Sequence, residues 1–88
     1  MSPELETLDQ LLGSDLSLSI VLRLYSDAAT FKHGVHALLA SGDVCLLTTD
    51  EVEVPTWRYR ELFIDGTVMQ QLEQMKLRIT PHGALRIE

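Results

Sequence analysis

The segment from Leu16 to Tyr25 constrains the fold of this chain more than any other. A large aliphatic side chain stands at every even position from 16 to 24. A period of two is typical of a β-strand that buries one face, and it predicts a strand here. The side chains on the predicted buried face are Leu16, Leu18, Ile20, Leu22 and Leu24. The alternative is a helix, because Leu16, Ile20 and Leu24 are also four residues apart and leucine favours helices.

Two segments on either side of this one have the periodicity of amphipathic helices. The first spans residues 3–12, and Gly13 suits its end. The second begins after Asp27, a suitable N-cap, and ends at residues 41–43. Its apolar stripe consists of Phe31, Val35, Leu38 and Leu39. Gly34 interrupts this helix at a cost of about 0.5–1 kcal/mol, which indicates close packing of another backbone over it.

The middle of the chain is predicted to form strands. Residues 44–49 are mostly apolar, and Asp50-Glu51 can turn them into a second strand that begins at Val52. Residues 56–64, TWRYRELFI, alternate in polarity and favour a strand. Helical spacing of Trp57, Glu61 and Ile64 after a Pro-Thr start supports the opposite interpretation.

A third helix and a hairpin are predicted for the last part of the chain. Asp65 suits the N-cap of a helix that carries an apolar stripe, and the hairpin turns at residues 81–83, Pro-His-Gly. The apolar stripe consists of Val68, Met69, Leu72 and Met75. Counting outward from the turn places Arg78 opposite Arg86 on a charged face of the hairpin.

These elements predict one small α+β domain over residues 1–88 in the order α-β-α-β-β-α-β-β. The central βαββαβ part matches a ferredoxin-like fold, with an added N-terminal helix and a C-terminal β-hairpin. A helix at residues 16–25 would instead place three helices before a hairpin, the outline of a winged-helix domain. The choice between the two folds therefore rests on that segment.

Acidic groups outnumber basic ones and are concentrated in the first 54 residues. The formal net charge is -6, and residues 1–54 hold nine acids against two bases. Residues 55–88 hold five bases and four acids. Net negative charge opposes binding to phosphate backbones, so a nucleic-acid site would need a local patch in the C-terminal third.

Composition also predicts the compartment. Cys45 is the only cysteine and lies in an apolar run, which predicts a buried, reduced thiol and excludes an intramolecular disulfide. The N-terminus lacks the basic and apolar regions of a signal peptide, and no apolar run approaches the length of a membrane span. We therefore expect a cytoplasmic protein that does not bind membranes.

No pattern of residues predicts catalysis or a cofactor. His33 and His36 are three residues apart on a predicted helix, but two ligands do not make a metal site and no CxxC or HExxH spacing is present. Burial would raise the pKa of the Cys45 thiol and weaken it as a nucleophile. The glycines are scattered singly, unlike those of a phosphate-binding loop. We expect no catalytic residue, no cofactor and no metal.

Two aromatic residues interleaved with two arginines form the most informative cluster. Trp, Tyr and Arg are the side chains most enriched at interface hot spots. The predicted partner-binding residues are Trp57, Arg58, Tyr59, Arg60, Arg78 and Arg86. They predict a noncatalytic protein-interaction or regulatory module that binds a protein partner or self-associates as a homodimer. The alternative is a small winged-helix or single-stranded nucleic-acid-binding domain.

Overall fold

The structure is a computed structural model and describes residues 2–87. Its α-helices are α1 (Pro3–Leu11), α2 (Leu18–Leu22), α3 (Ala28–Ala40) and α4 (Pro81–Ile87). Its strands are β1 (Leu16–Ser17), β2 (Val44–Thr48) and β3 (Met75–Ile79). Irregular helical turns at residues 56–64 and 67–70 connect β2 to β3.

The three strands form one antiparallel sheet in the order β1-β3-β2. Leu77 of β3 is opposite Leu46 of β2 on one side and Leu16 of β1 on the other. Leu46 and Leu77 are fully buried against the helices, whereas Arg78 and its neighbour in register, Cys45, lie on the opposite face. The sheet therefore has one apolar face and one face that carries charge.

Local signals placed α1 and α3 as predicted. The Ser2 hydroxyl accepts a hydrogen bond from Leu5 N at the start of α1, and Pro3 is its first helical residue. At the start of α3, the Asp27 carboxylate accepts from Thr30 N at 2.8 Å, and the Thr30 hydroxyl accepts from Asp27 N. The predicted strand at residues 44–49 is confirmed as β2.

The predicted strand from Leu16 to Tyr25 is wrong. Only two of its residues are extended, and the chain then turns into α2. Leu18 and Val21 are fully buried and Tyr25 is 8% exposed, a helical spacing, whereas Ile20 is 42% exposed. Residues of α2 pack against α3 and β3, and this tertiary packing outweighs the strand preference of the alternating pattern.

The predicted helix capped by Asp65 and the predicted strand from Val52 are also wrong. Gly66 has a φ of 88°, which is incompatible with a right-handed helix, and only a short 3₁₀ turn follows at residues 67–70. Met75 pairs in β3 instead of extending a helix. The Val52 strand is reduced to one bridge between Leu47 and Glu53.

The predicted C-terminal hairpin is replaced by β3 followed by α4. The Thr80 hydroxyl accepts a hydrogen bond from Gly83 N at 3.1 Å and donates to Gly42 O at 2.6 Å. A Cβ on Gly83 would overlap the carbonyl group of Asp43. The Thr80 hydroxyl therefore caps the start of α4, and glycine at position 83 permits close packing against the turn between α3 and β2.

The chain is a small, compact α+β protein with a three-stranded antiparallel sheet. The predicted ferredoxin-like βαββαβ core is not confirmed, because α2 occupies most of its predicted first strand and a short 3₁₀ turn stands in place of its predicted second helix. None of the helices in the described part of the chain is long and apolar enough to cross a membrane.

Candidate functional site

Residues 56–64 form one continuous helical segment between β2 and β3. Pro55 is extended and precedes a 3₁₀ turn at Thr56–Arg58, in which Arg58 N donates to Pro55 O at 3.0 Å. A π-helical turn follows at Arg60–Ile64 and closes with Asp65 N donating to Arg60 O at 3.0 Å. The predicted strand here is wrong. The alternative interpretation, based on the helical spacing of Trp57, Glu61 and Ile64, agrees with the structure. Short π-helical turns occur frequently at functional sites.

The core holds this helical segment on both sides. Val54, just before it, is 2% exposed, and its N–H donates to Leu46 O in β2 at 2.8 Å. Leu62 and Phe63 are buried in the core, and the half-buried Tyr59 packs against it. The Thr67 hydroxyl donates to Glu61 O, which closes the end of the segment. Residues 56–64 are therefore held in one orientation.

The outward side of the segment carries Trp57, Arg60, Glu61 and Ile64, here called the Trp57 face. Trp57 is 76% exposed and Ile64 is 57% exposed. Glu61 is 3.8 Å from the Arg58 guanidinium, and no ion pair involves Arg60 within residues 2–87. Two large apolar side chains therefore flank a basic and an acidic group on an exposed surface. Sequence reasoning did not single out Ile64 as an interface residue, although the helical spacing of Trp57, Glu61 and Ile64 places all three on one side of the segment.

Tyr59 and Arg58 contribute differently from Trp57. Tyr59 turns inward, and burial raises the pKa of its hydroxyl, with the Glu53 carboxylate adding to the effect. Arg58 is half-buried beside Glu61. Of the predicted aromatic and arginine cluster, Trp57 and Arg60 are the members that the helical backbone leaves exposed.

Arg78 belongs to a cluster of four charges on the outer face of the sheet. Its guanidinium donates to both Asp15 carboxylate oxygens and to Glu51 Oε1, the shortest contacts being 2.8 Å. Lys76 Nζ lies 2.9 Å from Glu51 and 3.4 Å from Asp15. Hydrogen bonds from Arg78 hold the pKa of Asp15 below its ordinary value, and hydrogen bonds from Lys76 do the same for Glu51. Arg78 is therefore neutralised within the chain.

Arg86 belongs to a separate cluster centred on the fully buried Asp43. Asp43 Oδ2 accepts hydrogen bonds from the Arg86 guanidinium and from the Ser41 hydroxyl, the latter at 2.8 Å. His82 Nε2 is 3.4 Å from Asp43 Oδ1, which has no hydrogen-bond partner among the described residues. This cluster attaches α4 to the turn between α3 and β2.

The predicted facing of Arg78 and Arg86 is therefore wrong. Arg78 is opposite Cys45 in the sheet, and Arg86 lies on α4. Each arginine contacts its own carboxylate, Asp15 in one case and Asp43 in the other. Their mutual repulsion does not create an anion site, because the hairpin on which it depended is not formed.

A groove of about 340 Å³ lies between the start of α1 and the outer side of α3. Its lining residues are Pro3, Glu4, Tyr25, Ala29, Thr30 and His33. The Tyr25 hydroxyl is buried without a hydrogen-bond partner among residues 2–87, and burial raises its pKa to about 12. The nearby Thr7 hydroxyl opposes this shift, although the two hydroxyls do not meet hydrogen-bond geometry.

The histidines and the cysteine that the sequence analysis considered for metal binding or catalysis lie in separate parts of the structure. His33 is exposed in the groove, and His36 is half-buried on the same helix. Cys45 is a half-buried free thiol in β2, and burial is the main cause that raises its pKa. Within residues 2–87, no group of three or more His, Cys, Asp or Glu side chains is arranged to hold a metal ion.

Comparison of the sequence with models of known protein families, with curated proteins and with solved structures gave no match.

Proposed function

We propose that this chain is a small noncatalytic module that binds another polypeptide chain through the Trp57 face. The observation that carries the proposal is the 76% exposure of Trp57, the only tryptophan of the chain. Leaving a large apolar side chain in water forgoes about 1.5–3 kcal/mol of burial free energy. Tryptophan in a partner's pocket recovers that free energy, and it is among the residue types most enriched at binding hot spots.

The rigidity of residues 56–64 supports the same proposal. Val54 on one side and Leu62 and Phe63 on the other anchor the segment in the core. Docking therefore orders few additional groups and loses little conformational entropy. Trp57 and Ile64 are seven residues apart, the spacing of two anchors in helix-in-groove recognition. Arg60 between them favours a partner with an acidic group beside its apolar groove.

The dispersal of reactive groups supports the noncatalytic part of the proposal. Cys45 lies in the sheet with a raised thiol pKa, which disfavours the nucleophilic thiolate. His33 is on α3, and His82 is beside Asp43 at the start of α4. Nucleophilic catalysis needs a nucleophile, a base and an orienting group within hydrogen-bond reach of one another.

The test compares Trp57→Ala with Val52→Ala in binding to proteins from the native host. Val52 is 62% exposed and lies outside the Trp57 face, so its truncation is a matched control for loss of exposed apolar surface. Each tagged protein is used to recover partners, which are quantified by mass spectrometry and then confirmed by titration with the purified partner. We expect Trp57→Ala to weaken that binding at least about 30-fold, the effect of a hot spot of about 2 kcal/mol.

Two further observations complete this test. Trp57→Ala should leave the free energy of unfolding within about 0.5 kcal/mol of wild type, because the side chain is mostly in water. Leu62→Ala, on the buried side of the segment, should cost about 2–5 kcal/mol. Equal recovery of partners by wild type and Trp57→Ala would contradict the proposed function.

A second candidate function, nucleic-acid binding by a winged-helix domain, is favoured by the order of the elements. Helices α1, α2 and α3 precede the antiparallel pair β2 and β3, which matches the outline of that fold. The exposed positions of α3 are poor in positive charge. Four of the seven Lys and Arg residues also form ion pairs within the chain. Both features weaken attraction to phosphates and rank this candidate second.

Fluorescence anisotropy with labelled duplex and single-stranded oligonucleotides tests the second candidate. Binding through phosphate contacts should weaken linearly in a plot of log affinity against log salt concentration. Absence of binding to either oligonucleotide at low salt would remove this candidate. A steep salt dependence that Trp57→Ala does not alter would favour it over the first.

A further inference from the structure

The order of charges on the Trp57 face is complementary to its own reverse order, and we infer that the face pairs with a second copy of itself across a twofold axis. This inference rests on the proposed function and names the partner. The order of the exposed side chains is apolar, basic, acidic, apolar, at positions 57, 60, 61 and 64. An antiparallel alignment of two copies centred between Arg60 and Glu61 places Trp57 of one copy opposite Ile64 of the other. The same alignment places each Arg60 opposite a Glu61.

Self-complementarity of this kind is what a twofold interface requires. In such an interface the same patch serves both subunits, so each contact between two positions occurs twice. The pair of segments would gain two Trp–Ile contacts and two Arg–Glu pairs. Parallel alignment would instead bring like charges together at positions 60 and 61, which opposes association. The charge pattern therefore selects the antiparallel arrangement.

The charged groups of the Trp57 face have few partners within the chain, and the opposite side of the segment is buried, so the face is available to a second copy. Arg60 forms no ion pair within residues 2–87, and Glu61 has only the 3.8 Å contact with Arg58. The inner side of the segment is occupied by Leu62 and Phe63 in the core, so the outer side is the one that can associate. Each acidic group of the pair would gain a cation without losing a close internal contact.

The small size of the face sets the strength of the dimer. Four side chains from each copy bury less than the roughly 800 Å² per partner of a standard stable interface. We therefore expect reversible dimerisation with a dissociation constant of about 10 µM to 1 mM. Most molecules would be monomers in dilute solution and dimers at high concentration.

The test is a charge exchange followed by sedimentation equilibrium. Arg60→Glu places two acids at the centre of each segment, and Glu61→Arg places two bases there, so each single variant should dimerise at least about tenfold more weakly than wild type. The double variant R60E/E61R restores opposite charges across the axis and should return to within about threefold of wild type. Glu73→Arg, an exposed charge reversal outside the face, is the matched control and should dimerise like wild type.

Mixing the two single variants gives a second, independent measurement. Arg60→Glu and Glu61→Arg carry opposite charges at the centre of the face, so their mixture should form a heterodimer more readily than either variant forms a homodimer. Circular dichroism of each variant checks that the fold is kept. This heterodimer is not expected from a surface that binds only other proteins.

The outcomes separate this inference from the proposed function. A wild-type mass that stays at 9.9 kDa up to millimolar concentration would overturn self-association. A double variant or mixture no better than the single variants would overturn the antiparallel alignment. If Trp57→Ala still lost a heterologous partner in either case, the proposed function would stand without the homodimer.

Discussion

Gly34 in α3 lies directly against the ring of Tyr25. A Cβ at position 34 would come within 2.5 Å of Tyr25 Cε1 and 2.7 Å of its hydroxyl oxygen. The sequence predicted that another backbone packs over this helical glycine. The structure shows that a side chain, the Tyr25 ring, is what requires glycine here. This contact joins α3 to the turn that follows α2, and the Tyr25 and Phe31 rings pack edge to face with centroids 5.9 Å apart.

Gly34→Ala should destabilise the protein. Alanine improves helix propensity by about 0.5–1 kcal/mol, but overpacking against an immobile ring costs about 1–3 kcal/mol. We expect urea denaturation to show a net loss of about 1 kcal/mol, and of at most about 2.5 kcal/mol. Gly13→Ala is the control, because its Cβ would meet only Gln10 O at an ordinary 3.6 Å. Stability of Gly34→Ala equal to wild type would show that Tyr25 can move aside.

Arg86→Ala should destabilise the protein by about 2–4 kcal/mol, because it leaves the fully buried Asp43 carboxylate without its cation. The double variant D43N/R86A should recover part of that loss, since no buried charge remains unpaired. Arg60→Ala, an exposed arginine outside this cluster, should stay within about 0.5 kcal/mol of wild type. A loss that was equal in the single and double variants would indicate that Arg86 acts through packing alone.

The charge cluster around Arg78 predicts how stability depends on acid pH. Asp15 and Glu51 have folded-state pKa values below their ordinary values of 3.8 and 4.5, so they bind protons less readily when folded. Their contribution is complete above about pH 4.5 and is lost as the pH falls through the lower folded-state values. We expect the free energy of unfolding to decrease below pH 4.5 and to decrease less steeply in Asp15→Asn. An identical slope in both proteins would contradict this role of the cluster.

The raised pKa of the buried Tyr25 hydroxyl predicts a loss of stability at alkaline pH. Burial raises the folded-state pKa of Tyr25 from 10.0 to about 12, so the folded protein keeps this proton when the unfolded chain has released it. The contribution to stability is complete below pH 10 and is lost as the pH rises through 12. Ultraviolet absorbance of tyrosinate in Tyr59→Phe isolates Tyr25, since the chain has two tyrosines. Ionisation near pH 10 with the fold intact would contradict the prediction.

Elements set by short-range contacts were predictable from the sequence. The cap formed by Asp27 and Thr30, and the placement of Pro3 after Ser2, depend on groups within three residues of one another. The apolar run of β2 is similarly local. Such interactions need only residues that are close in the chain, so they can be read from the sequence. The same reasoning was wrong at Asp65, where Gly66 at positive φ leaves only a 3₁₀ turn.

The segment from Leu16 to Tyr25 depended on tertiary contacts. Its leucines satisfy the spacing of a strand and of a helix, and intrinsic preference between the two is worth only a few tenths of a kcal/mol per residue. Packing of Leu18, Val21 and Tyr25 against other elements outweighs that preference and selects α2. An alternating pattern alone could not identify those partners.

The candidate site was determined partly by the sequence and partly by the tertiary structure. The sequence by itself identified Trp57 and its neighbouring arginines as residues suited to an interface, because that inference needs only their chemical type. Only the tertiary structure decided that Trp57 faces water beside Ile64, and that Asp15 and Asp43 neutralise Arg78 and Arg86. These carboxylates are 63 and 43 residues from their arginines in the chain, and spacing within a sequence carries no information about charges brought together over that distance.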